Sequence, residues 1–170
     1  MSMARYLTET ELREGEDRSA TRGINAAFLL EIKEDHVEFR ELFKRALELI
    51  RPGQFIKPRE LADLLGQLRD EMETYFCLEE FYGGFDMAFQ ADPSNARTVA
   101  KLKHQHEQLF TYLIDLVERA EQVVYHEVPA TRIRSILVDF RQFAVDLSRH
   151  EDAELDLISR QSSLEIGVGD

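Results

Sequence analysis

Several features of secreted and membrane proteins are scarce in this sequence. It has a single cysteine, Cys77, so it cannot form an intramolecular disulfide. No apolar run approaches the roughly 18 residues of a membrane span. The first 20 residues also lack the continuous apolar core of a secretion signal. These absences lead us to expect a cytoplasmic protein that does not span a membrane.

Basic residues are outnumbered by acidic ones. The chain has 21 Lys and Arg residues against 33 Asp and Glu residues, which gives a formal net charge of −12 at pH 7. Nucleic acids and anionic membrane surfaces would repel such a chain. We therefore expect neither nucleic acid nor membrane as a partner.

Proline is infrequent, and its positions divide the chain. The four prolines lie at positions 52, 58, 93 and 129. Long segments with apolar residues at helical spacing run between them. This pattern predicts four helices, at about 21–50, 59–84, 94–123 and 130–160.

The connections between the predicted helices are short. Short connections between long helices favour antiparallel neighbours. We therefore predict an all-α fold, an up-down-up-down four-helix bundle over residues 21–160. We expect residues 1–20 to form a flexible or partly helical arm and residues 161–170 to form a frayed tail.

Polar residues interrupt the apolar stripe of every predicted helix. The first and third helices each place a histidine there. The second has a tyrosine and a glutamate at i and i+4, and the fourth has a histidine and a glutamate at the same spacing. A helical rise of about 1.5 Å per residue, counted from the connections, puts all of them at a similar depth. The residues are His36, Tyr75, Glu79, His106, His150 and Glu154.

Buried carboxylates on these stripes need a proton, a partner or a cation. A buried hydrogen-bond network is one solution, but two carboxylates and three imidazoles are satisfied more simply by metal ions. Mixed imidazole and carboxylate ligands suit iron, manganese or zinc. Two carboxylates that are able to bridge favour two ions over one. We take iron as the expected metal.

The order of these residues resembles the hemerythrin-like (HHE cation-binding) domain family, over about residues 22–160. That family typically carries His, His-x-x-x-Glu, His and His-x-x-x-Glu on its four successive helices. In this sequence "KEDHVEF" supplies His36, "HQHEQL" supplies His106, and "RHEDAEL" supplies His150 and Glu154. In "YFCLEE", Tyr75 stands where the family has histidine.

The resemblance implies a non-haem centre of two Fe ions joined by an oxo or hydroxo bridge, and manganese or zinc would fit the same ligands. It also implies that the protein binds or reduces a small oxidant or gas, namely peroxide, oxygen or nitric oxide, with catalase-like turnover as one expected activity. The alternative is a metal-containing sensor or a regulatory interaction module without turnover.

Tyr75 leaves three alternatives open. As a phenolate ligand it would favour ferric iron, which argues against simple oxygen carriage and for peroxide, oxygen or nitric oxide chemistry. As a neutral phenol it would donate a hydrogen bond to a group on the metal or to Glu79, and one iron would keep an open position. In the third alternative the second helix has lost its ligand, and the site is mononuclear or degenerate.

Overall fold

The computed structural model describes residues 26–51, 53–82 and 93–166. Helices dominate this part of the chain, and none of its residues lies in a β-strand. The helices are α1 (Ala26–Asp35), α2 (Val37–Leu49), α3 (Pro58–Tyr82), α4 (Pro93–Val124) and α5 (Ile133–Ile166), with a short 3-10 helix (Ala130–Arg132) directly before α5. The all-α fold class that the sequence predicts is confirmed.

The helices form an antiparallel up-down-up-down bundle, as the sequence predicts. Helices α1 and α2 follow one another as the first of its four segments. Helix α3 packs against α2 and α4, α4 packs against α5, and α1 packs against both α3 and α5. A proline begins α3 and another begins α4, because the first residue of a helix needs no N–H for the helical hydrogen bonds.

The first segment is interrupted at His36, in contrast to the single helix expected there. His36 has φ −76° and ψ 61°, which is not a helical conformation. Its N–H still donates to the carbonyl of Ile32, and its own carbonyl accepts from the N–H of Arg40. Apolar periodicity does not reveal the interruption, because the buried stripe continues across it from Ile32 to Phe39.

The connections before α3 and after α4 each contain a residue with positive φ. Gly53 has φ 88° and lies between α2 and α3. His126 has φ 61° and follows α4, where the N–H of Glu127 donates to the carbonyl of Gln122 and that of His126 to Val123. These two bonds close the helix end as a Schellman motif. His126 is exposed and serves this turn.

The core consists of two apolar clusters separated by a polar layer. On α4, His106 stands between Leu102 of the smaller cluster and Leu109 of the larger one. On α5, buried polar residues likewise stand between Leu147 and Leu157. The bundle therefore buries a complete polar layer within an otherwise apolar core.

Both predicted ends of the chain lie partly or wholly outside the described residues. The expected arm, residues 1–20, lies outside them, and so do residues 167–170 of the expected tail. Helix α5 is described as far as Ile166, beyond the predicted end of the bundle at about residue 160. None of the described helices has the length and apolar content needed to cross a membrane.

Candidate metal centre

Four of the six predicted residues meet in the polar layer. Glu79 comes from α3, His106 from α4, and His150 and Glu154 from α5. One candidate ligand atom from each residue lies within 4.8 Å of the others. Their exposed fractions are between 0% and 2%, so bulk water cannot satisfy these groups. We call these four residues the His/Glu cluster.

The carboxylates and the imidazoles of the cluster face one another directly. Oε1 of Glu154 lies 3.2 Å from Nε2 of His106 and 3.2 Å from Nε2 of His150. Oε2 of Glu79 lies 3.5 Å from Nε2 of His106. The two imidazole centroids are 4.6 Å apart. Nitrogen and oxygen donors from three helices therefore converge on one small volume.

Residues outside the cluster hold the outer nitrogen of each imidazole. Nδ1 of His150 donates to the amide oxygen of Gln105 at 3.2 Å, because a carbonyl oxygen can only accept. Nδ1 of His106 donates to Oε1 of Glu80 at 2.8 Å. Partners of this kind orient the imidazole ligands of metal sites and direct Nε2 inward. Glu80, which directly follows Glu79, is not among the residues that the sequence predicts for the site.

Two buried atoms of the cluster lack hydrogen-bond partners among the described residues. They are Oε2 of Glu79 and Nε2 of His150. With its proton on Nδ1, a neutral His150 ring presents a lone pair at Nε2, and this lone pair meets the carboxylate of Glu154. Facing acceptors in a buried site are unfavourable unless a cation lies between them. The residues present therefore fit a bound metal ion.

Lys33 on α1 also reaches the cluster, and sequence reasoning missed it. Its Nζ lies 3.0 Å from Oε1 of Glu79 and 2.5 Å from Oε2 of Glu154. It also contacts Glu151 at 2.8 Å and the Tyr75 hydroxyl at 2.9 Å. The available signal was spacing, since a position four residues after Leu29 shares its side of the helix.

The ionisable groups of the polar layer strongly shift one another's pKa values. Burial opposes the charge of Lys33, but the carboxylates of Glu154, Glu79 and Glu151 outweigh it and raise the pKa of this ammonium. Burial likewise opposes ionisation of Glu154, yet the hydrogen bond from His106 and the charge of Lys33 hold its pKa well below the ordinary value. One carboxylate of the layer is therefore firmly ionised beside a firmly charged ammonium.

The pKa values of Glu79 and His106 are both raised, in contrast to that of Glu154. Burial and the charge of Glu154 raise the pKa of Glu79. Burial disfavours a charged His106, but its hydrogen bonds with Glu154 and Glu80 prevail and raise its pKa to about 9. A proton on this imidazole therefore stabilises the metal-free layer, and a metal ion would take its place.

The remaining two predicted residues, Tyr75 and His36, lie beside Lys33 and outside the His/Glu cluster. The Tyr75 hydroxyl donates to Oε1 of Glu151 at 3.1 Å and accepts from Lys33. Burial, followed by the charge of Glu79, raises the pKa of this hydroxyl far above its ordinary value. The His36 ring packs edge-on against Tyr75 at 5.2 Å, and its buried Nδ1 has no hydrogen-bond partner among the described residues.

Comparison with known proteins agrees with this geometry. Residues 28–158 match the family described as Hemerythrin HHE cation binding domain, and the match spans most of the chain. No curated protein and no solved structure gives a match. Domains of this family bind metal cations, and the buried His/Glu cluster is a group of residues that could hold one. The chain belongs to the hemerythrin HHE cation-binding domain family.

Proposed function

We propose that this protein is a non-haem iron protein that binds or reduces a small oxidant such as hydrogen peroxide, oxygen or nitric oxide. The observation that carries the proposal is the buried His/Glu cluster, in which Glu79 and His150 direct unpartnered atoms inward. Imidazole and carboxylate donors together suit iron, and manganese and zinc accept the same donors. Iron bound there would supply one-electron and oxygen chemistry that side chains alone lack.

The surroundings of the cluster support a site that is shielded from bulk water. The ring of Phe76 stacks on His106 with centroids 3.9 Å apart and meets His150 edge-on at 5.7 Å. Phe76 is itself buried. Together with Glu80 and Gln105, which hold the outer nitrogens, this ring fixes the orientation of both imidazoles.

A cavity of about 300 Å³ supports access by a small molecule. It lies between α2 and α5, and we call it the α2–α5 cavity. Its apolar walls include Phe39, Phe43 and Leu147, and it reaches Lys33 and Glu151 at the edge of the polar layer. Apolar walls admit weakly hydrated molecules such as oxygen and nitric oxide with little loss of hydration.

The proposal is tested by loading the protein with ferrous iron under anaerobic conditions. We expect the wild type to retain iron through desalting and to consume many molecules of hydrogen peroxide per iron. His106→Ala should lose both properties because it removes an inward donor. His104→Ala is the matched control, since His104 is exposed on the same helix and its polar partner among the described residues is Glu107, outside the cluster.

The outcomes separate an enzyme from its alternatives. Failure of the wild type to retain iron, or retention by His106→Ala equal to that of the control, would overturn the proposed centre. A spectral response to nitric oxide or peroxide with less than one turnover per iron would exclude catalysis and favour the sensor. Measured iron content, oxidant consumption and absorption spectra decide among these results.

A further inference from the structure

Glu79 and Glu154 each place one carboxylate oxygen at one end of the polar layer and the other oxygen at the opposite end. At one end, Oε2 of Glu79 and Oε1 of Glu154 face imidazole nitrogens at 3.2–3.5 Å. At the other end, Oε1 of Glu79 and Oε2 of Glu154 lie 3.0 and 2.5 Å from Nζ of Lys33. Two carboxylates that each join the same two positions have the arrangement of ligands bridging a pair of cations.

The position at the second end is surrounded by oxygen atoms. Besides Glu79 and Glu154, Nζ of Lys33 has Glu151 at 2.8 Å and the Tyr75 hydroxyl at 2.9 Å. An ammonium has only three N–H donors, so four oxygens within 3.0 Å fill its surroundings completely. The Lys33 side chain is only 9% exposed, so bulk water contributes little to this shell.

We propose that the Lys33 ammonium is the second cation of this centre, and that the protein binds one metal ion per chain, at the imidazole end. The inference rests on the proposed metal binding by the His/Glu cluster. It departs from the two iron ions expected from the sequence, because an ammonium and a metal ion cannot share one oxygen shell. The ammonium of Lys33 cannot change its oxidation state. Only the single metal ion at the imidazole end would therefore take part in redox chemistry.

Removal of the Lys33 ammonium would leave a second set of possible metal ligands at this end of the layer. Without the Lys33 side chain, oxygens of Glu79, Glu151 and Glu154 would face one another, with the Tyr75 hydroxyl beside them. The unpartnered Nδ1 of His36 lies nearby, on a ring packed against Tyr75. Carboxylate oxygens around a buried space form a site for a divalent cation.

The test is a count of bound ions with Zn²⁺, which is redox-inert, and with Fe²⁺ under anaerobic conditions. Bound metal is measured by elemental analysis after desalting. We expect one ion per chain in the wild type and two in Lys33→Ala, a twofold change. Lys101→Ala is the matched control, because Lys101 is an exposed lysine on α4 and its loss changes the net charge equally.

Each outcome bears on a different claim. Two ions in the wild type would overturn this inference while leaving the proposed iron centre intact, whereas no bound ion would overturn both. One bound ion per chain in Lys33→Ala would also overturn the inference, because the oxygens that surrounded the ammonium would then bind no metal ion. If that variant does not fold, electron paramagnetic resonance of Mn²⁺-loaded wild type decides. The spectrum of an isolated Mn²⁺ ion would support one metal ion per chain. The spectrum of an exchange-coupled pair of ions would overturn the inference.

Discussion

The Tyr75 hydroxyl is held in its neutral form by burial and by the carboxylates around it. It accepts a hydrogen bond from Lys33 and donates one to the carboxylate of Glu151. Loss of the proton would break the bond to Glu151 and place a second negative charge beside it in a buried site. Of the three alternatives that the sequence leaves for Tyr75, this geometry favours the hydrogen-bonding phenol over the phenolate ligand.

We expect Tyr75→Phe to retain its metal and to show the same visible spectrum as the iron-loaded wild type. The substitution removes two hydrogen bonds, one from Lys33 and one to Glu151, which should lower the free energy of unfolding by about 1–3 kcal/mol. Tyr112→Phe is the matched control, since its hydroxyl donates to the carbonyl of Asp139 away from the cluster. A phenolate-to-iron band that is present in the wild type and absent in Tyr75→Phe would contradict this account.

The sequence predicted which polar residues share one layer of the core, but not which side chains contact one another within it. Regular helices fix depth and face, so His106, His150, Glu79 and Glu154 could be placed in one layer from spacing alone. Their partners depend on the rotamers of long side chains. Lys33 reaches inward from the edge of an apolar stripe, and no periodic count shows whether a lysine extends into the core or into solvent.

Two glycines in neighbouring elements should respond oppositely to the same substitution. Gly66 lies inside α3 and Gly53 lies in the α2–α3 connection, and an added Cβ would meet no atom within 4 Å at either position. Crowding therefore does not distinguish them. Backbone conformation does, because Gly53 has φ 88°, a region that side chains with a Cβ disfavour.

We expect Gly66→Ala to raise the free energy of unfolding by about 0.5–1 kcal/mol, because alanine restricts the unfolded chain and favours the helix. Gly53→Ala should lower it by about 1–2 kcal/mol, the cost of a left-handed residue that carries a Cβ. Denaturant titrations of both variants and the wild type provide the comparison. An increase in the free energy of unfolding of both variants would show that residue 53 does not adopt a positive φ.

The interruption of the first segment marks the limit of element prediction from this sequence. Proline positions gave good boundaries for α3 and α4, because proline acts directly on the backbone. His36 carries no such constraint. The break between α1 and α2 lies at Asp35, His36 and Val37, whose helix propensities are only moderately low, so local propensity does not predict it.

The complete bundle must remain folded around a layer that divides its core. Buried carboxylates without a cation would oppose folding, since each uncompensated charge costs several kcal/mol. Lys33 compensates Glu79 and Glu154 without any metal. The fold of this protein should therefore not require an ion, in contrast to small domains whose cores form only on metal binding.

Chelation tests this independence. We expect the protein treated with a chelator to keep its helical circular dichroism, because the apolar clusters on both sides of the layer remain packed. Added metal should stabilise it by mass action, by about 2.7 kcal/mol at a free concentration of 100 Kd. For a domain of this size that gain raises Tm by roughly 5–10 °C. His150→Ala, which removes a donor, should show no such rise. Loss of helical signal on chelation would instead mean that Lys33 does not compensate the layer, and that the metal ion itself holds the four segments together.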